Sequence, residues 1–269
     1  MSVRAAVVQL ESGADPDANL ASIAGLVAAA AAAGAALVVL PENCALMADG
    51  DAARLARAED DGAGPIQDAL ARIARGTGVW LVGGTLPLRA PDGRAYASCL
   101  VFGPDGARVA RYDKVHLFDV EVPGGERHRE SGATAPGAAA VVVDTPCGCL
   151  GLSVCYDLRF PELYRALVDR GATLFAVPAA FTAITGAAHW EVLLRARAIE
   201  DQCFVLAAAQ HGSHPGGRRT HGHSTIVDPW GEVLAQRPHG PGIAVADIDP
   251  DRLVGLRQRF PVLGHRRPL

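Results

Sequence analysis

Three residues of complementary chemistry stand where predicted strands end. Glu42 follows a buried apolar run, Lys114 follows the second strand of a predicted hairpin, and Cys155 ends another apolar run. Active groups in open α/β sheets collect beyond the carboxyl ends of the strands, so we expect these three side chains to meet. Together they form a consistent set for nucleophilic catalysis. The carboxylate takes the thiol proton, the thiolate attacks a carbonyl-like carbon, and the ammonium stabilises the tetrahedral intermediate.

Lys114 is the only lysine among the 25 basic residues, and the other 24 are arginines. An arginine-rich coding bias can replace most surface lysines without harm. A compact ammonium that can lose its proton is still needed where a basic group contacts reacting atoms, because the guanidinium is bulkier and stays protonated. The pattern favours a functional Lys114, and the alternative is that this lysine is a chance survivor.

Cys155 stands at a predicted turn from a strand into a helix that begins at Pro161. Backbone N–H groups and the positive end of a helix dipole favour the thiolate at such a turn, and the turn can direct an N–H at an oxyanion. The structural alternative is a small buried apolar side chain, which is what we expect of the other five cysteines, at positions 44, 99, 147, 149 and 203.

Glu42 also has alternatives. Its carboxylate can begin a helix or pair with a nearby arginine. A histidine can serve as the base instead, although none of the nine stands at an obvious strand end near the start of the chain.

Composition excludes several classes of protein. The 269 residues are 49% hydrophobic and 20% charged, which suffices for a buried core. A formal charge of −4 gives no global electrostatic reason to bind nucleic acid or an anionic membrane. The longest apolar run, 26–40, is shorter than the ~20 residues of a membrane-spanning helix. The first residues lack the apolar segment of a signal peptide and the cysteines lack Cys-x-x-Cys spacing, so we expect a cytoplasmic protein.

Predicted strands and helices interleave without a Pro/Ser-rich linker, which predicts one α/β domain over 1–269 with helices covering the sheets. Predicted hairpins make the sheets mixed. Segment 115–137 has no clear period, and such loops are usually functional or disordered. The predicted strands are 5–10, 36–40, 79–84, 95–102, 107–113, 140–144, 150–154, 174–177, 203–209, 224–227, 232–236 and 243–248. The predicted helices are 19–33, one that begins at 64–65, 161–170, 189–201 and one from 249 to about 260.

Three segments resemble motifs of the nitrilase superfamily of carbon–nitrogen hydrolases: Leu40-Pro-Glu-Asn43, Tyr112-Asp-Lys-Val-His-Leu-Phe118 and Gly151-Leu-Ser-Val-Cys-Tyr-Asp-Leu-Arg-Phe-Pro-Glu162. The order Glu, Lys, Cys and the separations, 114 − 42 = 72 and 155 − 114 = 41, fit that family. The resemblance covers nearly the whole chain. It implies a single-domain α-β-β-α sandwich with two mixed β-sheets.

The same resemblance implies roles for four residues. Glu42 would be the general base, Cys155 the acylated nucleophile, and Lys114 the group that stabilises the intermediate and donates protons. The family pattern has a second glutamate after the lysine loop, and the matching segment here contains Glu130. It would position Lys114 and the leaving ammonia.

Four further residues are candidates for substrate contact. A forked guanidinium four residues past the nucleophile suits a substrate carboxylate, with an ion pair to Asp157 or Glu162 as the alternative. The two aromatic candidates can equally pack in the core, and the threonine can cap a turn. The resemblance implies three of these candidates: Arg159, Phe181 and Thr185. The fourth is Tyr156, which stands next to the nucleophile.

The segment 212–220 is rich in glycine and arginine. It either binds the distal carboxylate of a peptide-like substrate or is solvated. The histidines at 211, 214, 221 and 223 fit no strong zinc pattern, and the glycines argue against a preformed metal cage. Gly83-Gly84 is too short a signal for a phosphate loop. We therefore expect no metal and no cofactor.

Other segments look like the branch of the superfamily that holds ω-amidase and deaminated-glutathione amidase: 116–120, 129–131, 185–191 and 222–224. The glycine pair after Pro123 and the segment 203–211 look closer to the deaminated-glutathione amidases. The resemblance thus implies a thiol amidase that hydrolyses the terminal amide of a small α-keto acid amide, deaminated glutathione first, to a carboxylate and ammonia through a cysteine thioester.

The sequence leaves alternatives open. The substrate can be α-ketoglutaramate, as for ω-amidase, or an N-carbamoyl amine, and the three catalytic candidates alone do not exclude a nitrile. A non-catalytic binding member of the same fold is an alternative of another class. The expected partner is a small-molecule amide, with neither nucleic acid nor membrane. Family likeness further implies a homodimer or higher homo-oligomer.

Overall fold

The first strand is apolar on both of its faces. Ala5 and Val7 point to one side, Ala6 and Val8 point to the other, and all four are fully buried. A strand of this kind must be covered from two sides. In the computed structural model, which describes residues 2–123 and 127–267, a second sheet covers one side and helices cover the other.

The described part of the chain forms six α-helices. Asp15 caps the first of them by accepting a hydrogen bond from the Asp17 backbone N–H. Gly78, with a φ of 69°, ends the third in the left-handed conformation that glycine adopts without strain. The helices are α1 (Pro16–Ala32), α2 (Asp51–Ala56), α3 (Pro65–Thr77), α4 (Pro161–Asp169), α5 (Ala183–Asp201) and α6 (Pro250–Arg259).

Eighteen strands are present in the described part of the chain. They are β1 (Val3–Gln9), β2 (Leu37–Val39), β3 (Trp80–Val82), β4 (Leu86–Arg89), β5 (Ala95–Phe102), β6 (Arg108–Asp113), β7 (Asp119–Glu121), β8 (Arg127–Arg129), β9 (Thr134–Ala135), β10 (Val142–Thr145), β11 (Gly148–Leu152), β12 (Leu174–Ala179), β13 (Phe204–Ala209), β14 (His211–Ser213), β15 (Arg219–His221), β16 (Ser224–Val227), β17 (Val233–Arg237) and β18 (Gly242–Ile248).

Both large sheets are mixed. The eight-stranded sheet has the order β18-β1-β2-β3-β5-β4, and β6 and β9 also pair with β5. Its strands β1, β2 and β3 are parallel, whereas β18 runs antiparallel to β1 and β5 runs antiparallel to β3. The six-stranded sheet has the order β10-β11-β12-β13-β16-β17, with β11, β12 and β13 parallel. Two short hairpins, β7-β8 and β14-β15, lie outside these sheets.

The core has two parts. Between the sheets, residues of β1 and β2 such as Val7 and Val39 pack against residues of the six-stranded sheet such as Val205. On the outer face of the eight-stranded sheet, α1 and α3 contribute Ile23 and Leu70. Helices α4 and α5 cover the six-stranded sheet. The predicted α-β-β-α sandwich with two mixed sheets is confirmed.

Several boundaries differ from the sequence prediction. Helix α5 begins at Ala183 and not at His189, because the Thr182 hydroxyl accepts a hydrogen bond from the Thr185 backbone N–H and caps an earlier turn. Segment 115–137 carries β7, β8, β9 and a 3-10 turn at Glu130–Gly132. Only its residues 124–126 lie outside the described part, and these include the glycine pair after Pro123. Helix α2, strand β4 and hairpin β14-β15 were not predicted, since each is too short to show a period.

The segments that follow β2, β6, β11 and β12 all reach one end of the sandwich and line the same cavity. No helix in the described part of the chain has both the length and the apolar character to cross a bilayer.

Candidate active site

A cavity of about 270 Å³ lies where the two sheets end. The eight-stranded sheet contributes Glu42, just past β2, and Lys114, the residue after β6. The six-stranded sheet contributes Cys155, past β11, and Phe181, past β12. Glu130 enters from the 3-10 turn after β8. The structure therefore brings all four predicted catalytic residues into one cavity.

Lys114 is the centre of the polar cluster. Its Nζ donates to Glu42 Oε1 at 2.8 Å and to Glu130 Oε1 and Oε2 at 3.0 and 2.9 Å. Burial acts to lower the pKa of Lys114, but the charges of Glu130 and Glu42 outweigh it and raise that pKa above its ordinary value. The buried ammonium is therefore held charged.

Glu42 is buried beside two cations. Burial acts to raise the pKa of its carboxyl, but the charges of Lys114 and Arg218 and the hydrogen bond from Lys114 hold that pKa below its ordinary value. Its backbone carbonyl accepts a hydrogen bond from Gln210 Nε2 at 3.0 Å, which ties the turn after β2 to the six-stranded sheet. The carboxylate is thus fixed in place, ionised and able to accept a proton.

Cys155 has a φ of 50°, a left-handed conformation that a non-glycine side chain rarely adopts and that points to a constrained functional turn. The turn is held by Asp157, whose carboxylate accepts hydrogen bonds from the Val154 backbone N–H at 2.9 Å and from the Tyr112 hydroxyl at 2.6 Å. The predicted sharp turn from strand to helix is present as a 3-10 turn over Cys155–Arg159 that leads into α4.

The expectation that this turn favours the thiolate is wrong for the free protein. Burial and the neighbouring Glu42 carboxylate raise the pKa of Cys155 well above its ordinary value, and the Lys114 charge and a backbone hydrogen bond from Ala180 only partly oppose them. The thiol and the Glu42 carboxylate line the same cavity and affect each other's pKa. The resting pair is accordingly a neutral thiol beside an ionised carboxylate, the arrangement that general-base activation requires.

Glu130 contacts Lys114 as predicted. Its Oε2 also accepts a hydrogen bond from the Phe118 backbone N–H at 2.7 Å, which fixes the carboxylate at the start of the segment that carries β7 and β8. Its side chain is 20% exposed, against 2% for Lys114, so Glu130 forms the solvent-side wall of the cluster.

Arg159 lines the cavity and forms neither of the two ion pairs that were the alternative. Its guanidinium lies over the rings of Tyr156 and Phe181, 5.8 and 5.2 Å from their centroids, and its Nη1 is 3.2 Å from His189 Nδ1. Asp157 is taken up by the turn and by His116, whose Nδ1 lies 2.7 Å from it. A guanidinium held on two rings with donors directed into a cavity can bind a carboxylate.

The other three substrate candidates also line the cavity. Tyr156 stands edge-on to Phe118, with ring centroids 5.1 Å apart. Phe181 packs against Trp190, so it belongs to the core and to the wall at once. Thr185 does not cap the helix, because Thr182 does; their hydroxyl oxygens are 2.9 Å apart.

Sequence reasoning did not single out four arginines that line this cavity: Arg54, Arg127, Arg129 and Arg218. Arg54 lies on α2 and donates to Thr134 Oγ1 at 2.8 Å, and Arg218 lies in the segment between β14 and β15. Arg218 lies inside the Gly/Arg-rich segment 212–220, for which the sequence leaves open carboxylate binding or solvation. Arg54 gave no signal, since α2 was not predicted.

The lining of the cavity is positive although the whole protein is negative. It holds six cations and three carboxylates, which gives 6 − 3 = +3 in a chain of net charge −4. The cations are Arg54, Lys114, Arg127, Arg129, Arg159 and Arg218, and the carboxylates are Glu42, Asp51 and Glu130. This excess favours anionic molecules.

The histidines near segment 212–220 pack against one another and the protein. The rings of His221 and His223 are stacked 4.3 Å apart, and His214 lies 2.9 Å from the Ser12 carbonyl and 2.7 Å from Thr220 Oγ1. Within residues 2–123 and 127–267, no group of three histidine, cysteine or acidic side chains is arranged to hold a metal ion.

The other cysteines are buried or half-buried thiols. Burial raises the pKa of Cys44, Cys147 and Cys203 to about 12. None of these three lines the cavity that holds Cys155.

Known proteins match this chain over most of its length. The family model described as carbon-nitrogen hydrolase matches residues 4–258. The chain is 45% identical to a deaminated glutathione amidase of Yersinia enterocolitica over 97% of this chain and 92% of that protein. It is 38% identical to the human omega-amidase NIT2 over 99% of this chain and 95% of that protein.

A solved structure extends the likeness to the fold. The C. elegans NitFhit protein superposes with a TM-score of 0.91 at 40% identity; the match covers 99% of this chain and 65% of that one. The prediction of a hydrolase acting on amide carbon–nitrogen bonds is confirmed at the level of the family. With a matching family model over 4–258 and full-length relatives well above 30% identity, this chain belongs to the carbon-nitrogen hydrolase family.

Proposed function

We propose that the protein is a thiol amidase that acts on a small anionic α-keto acid amide, with deaminated glutathione as its substrate. The observation that carries the proposal is the hydrogen-bonded set of Glu42, Lys114 and Glu130 beside the Cys155 thiol. The relatives named for deaminated glutathione support the substrate. So does the positive cavity, because deaminated glutathione carries two carboxylates.

The first half of the reaction forms a thioester. Glu42 takes the proton of the Cys155 thiol as the sulfur attacks the amide carbon. The negative charge that develops on the amide oxygen lies beside the Lys114 ammonium. The carbon–nitrogen bond then breaks, and the proton held by Glu42 passes to the nitrogen. The leaving group is ammonia from a primary amide and cysteinylglycine from deaminated glutathione.

The second half hydrolyses the thioester. Glu42 takes a proton from a water molecule as the water oxygen attacks the thioester carbon. The carbon–sulfur bond then breaks, and the sulfur regains the proton from Glu42. The products are the α-keto dicarboxylate and the free amine. The raised pKa of Lys114 supports a role as a fixed positive charge throughout, with Glu42 as the group that moves protons.

Glu130 holds Lys114 in this scheme, and Arg159, Tyr156, Phe181 and Thr185 bind the α-keto acid part. Arg159 pairs with the substrate carboxylate, supported by its place over two rings of the cavity wall.

α-Ketoglutaramate is the second candidate substrate, favoured by the 38% identity to human omega-amidase NIT2. It has the same acyl group as deaminated glutathione but leaves ammonia. The same cavity therefore accepts it without a change in mechanism.

We further propose that residues 1–269 form one domain, that the protein acts in the cytoplasm, and that it assembles as a homodimer or higher homo-oligomer. Large apolar side chains exposed on α5 support self-association: Ile184, Val192 and Ile199.

The test is product release from both substrates by the wild type and by Cys155→Ala. Cysteinylglycine and ammonia are measured directly. We expect turnover of both substrates by the wild type and none by the variant. Equal release by the two proteins contradicts the mechanism, and release from an N-carbamoyl amine alone contradicts the substrate.

A further inference from the structure

A second cavity, of about 560 Å³, adjoins the catalytic one. Five residues line both and form the passage between them: Asn43, Asp51, Arg54, His128 and Arg218. Beyond the passage the space runs between segments 46–51 and 215–217. We refer to this second cavity as the outer groove.

Arg218 is held at the passage by a built loop. Its Nη2 donates to the Ala180 carbonyl at 2.9 Å, next to the cavity wall. The hairpin β14-β15 that carries it is fixed by His214, which contacts the Ser12 carbonyl and Thr220. The loop is therefore anchored to both sheets and is not merely solvated.

The charge of Arg218 is poorly balanced. Within the described residues Arg218 forms no salt bridge, and its Nε is buried without a hydrogen-bond partner. Arg54, across the passage, donates to Thr134 and lies in the field of Glu130, Glu42 and Asp51. Since Arg218 lines both cavities, an anion bound in either would balance its charge.

The passage opens on the side of the catalytic cavity where Glu42, the group that moves protons, lies. Asn43 follows Glu42 directly, and the charge of Arg218 contributes to lowering the pKa of Glu42. The leaving nitrogen must lie beside Glu42, because it receives its proton from that carboxylate. Tyr156 and Arg159, in contrast, follow the nucleophile. Whatever is attached to the leaving nitrogen therefore extends toward the outer groove.

We propose that the outer groove is a leaving-group subsite for an amine that carries a carboxylate, such as a dipeptide, and that Arg218 pairs with that carboxylate. The inference rests on the proposed function and adds a specificity-determining residue to it. It explains how one catalytic cluster accepts a primary amide and yet favours a dipeptide amide: the dipeptide gains a charge-assisted hydrogen bond that ammonia cannot make.

The experiment compares deaminated glutathione with its C-terminal carboxamide, which lacks only the terminal charge. We expect Arg218→Gln to lower the kcat/KM for the carboxylate by roughly 10- to 100-fold more than the kcat/KM for the carboxamide. The ratio of the two values cancels any effect of Arg218 on Glu42. Arg219→Gln is the matched control, since Arg219 is the exposed next residue and lines neither cavity; it should leave both values unchanged.

An equal loss on both substrates in Arg218→Gln would overturn the subsite while leaving the proposed function intact. If the wild type hydrolyses neither substrate, the proposed function fails. The subsite is then tested independently of turnover, by measuring ligand binding. In that case cysteinylglycine and its carboxamide are titrated by calorimetry. The subsite is supported if the wild type binds the carboxylate and Arg218→Gln weakens that binding at least tenfold. It is overturned if the wild type binds the carboxylate no more tightly than the carboxamide.

Discussion

The inner end of the cavity and its mouth hold their charges in different ways. At the inner end, Lys114 and Glu42 have side chains only 2% and 5% exposed and are joined to each other directly. We call the part of the cavity lined by Arg159 and Arg218 its mouth. Both side chains are half-buried there, and within the described residues each has a single hydrogen-bonding partner, with aromatic rings added for Arg159. The inner groups are satisfied within the protein, whereas the outer groups keep donors for a ligand.

We infer from this contrast that the inner groups perform the reaction and that the outer groups discriminate between substrates. A change in the inner cluster removes a partner from a buried charge and should reduce turnover of every substrate. A change at the mouth should alter the response to a particular part of the substrate.

The largest expected effect is that of Cys155→Ala. Loss of the nucleophile should lower kcat by about 10⁴-fold or more for all substrates, because no thioester can form. Cys149→Ala is the matched control, since Cys149 lies near the start of β11, the strand that precedes Cys155, and does not line the cavity. Steady-state kinetics with both amides checks the result; a substrate-dependent loss would contradict the division.

Glu42→Gln should follow, with kcat lowered about 10²- to 10⁴-fold on both substrates, the usual contribution of general acid–base catalysis. The amide keeps the shape but cannot accept the thiol proton. Glu162→Gln, an exposed change on α4, should have no effect. A Glu42→Gln protein that retains wild-type kcat would show that another group serves as the base.

Glu130→Gln should lower kcat about 10- to 100-fold with little change in KM, because Lys114 loses one of its two carboxylate partners but keeps Glu42. Glu121→Gln, on the exposed β7, provides the control. A rise in KM without a fall in kcat would place Glu130 among the substrate-binding residues instead.

Arg159→Met should raise KM about 10-fold or more for α-keto acid amides, equally for deaminated glutathione and α-ketoglutaramate, since the two share the acyl group. Arg170→Met, exposed at the end of α4, is the control. Unequal effects on the two substrates would assign Arg159 to the leaving-group side.

The smallest expected effect is that of pH near neutrality. The pKa of Glu42 is below its ordinary value and that of Cys155 is above, so the active pair of carboxylate and thiol persists across the neutral range. kcat/KM should stay level between about pH 5 and 8 and fall at lower pH as Glu42 is protonated. A rise that tracks ionisation of the thiol between pH 7 and 9 would contradict this.

Sequence reasoning was strongest for the inner cluster. Glu42, Lys114 and Cys155 each follow a strand that the sequence predicts, so strand ends and residue types sufficed to predict that they meet. It failed for the thiolate, because whether Cys155 ionises depends on burial and on a carboxylate 113 positions away (155 − 42 = 113), which no local pattern reveals.

The mouth was harder to predict for a physical reason. Arg54 lies on the six-residue helix α2, and Arg218 lies in a short hairpin, elements that tertiary contacts stabilise more than any periodic pattern does. The early start of α5 likewise depends on a single cap by Thr182. Long periodic elements were thus predictable, and the short elements around the cavity were not.

The most direct test of the account is the mass of the enzyme after rapid acid quenching during turnover of α-ketoglutaramate. We predict a covalent adduct with the mass of the α-keto acyl group, located by peptide mapping on Cys155 and absent from Cys155→Ala. Turnover without any adduct on Cys155 under conditions where hydrolysis of the thioester is slowed, or an adduct on another residue, would contradict it.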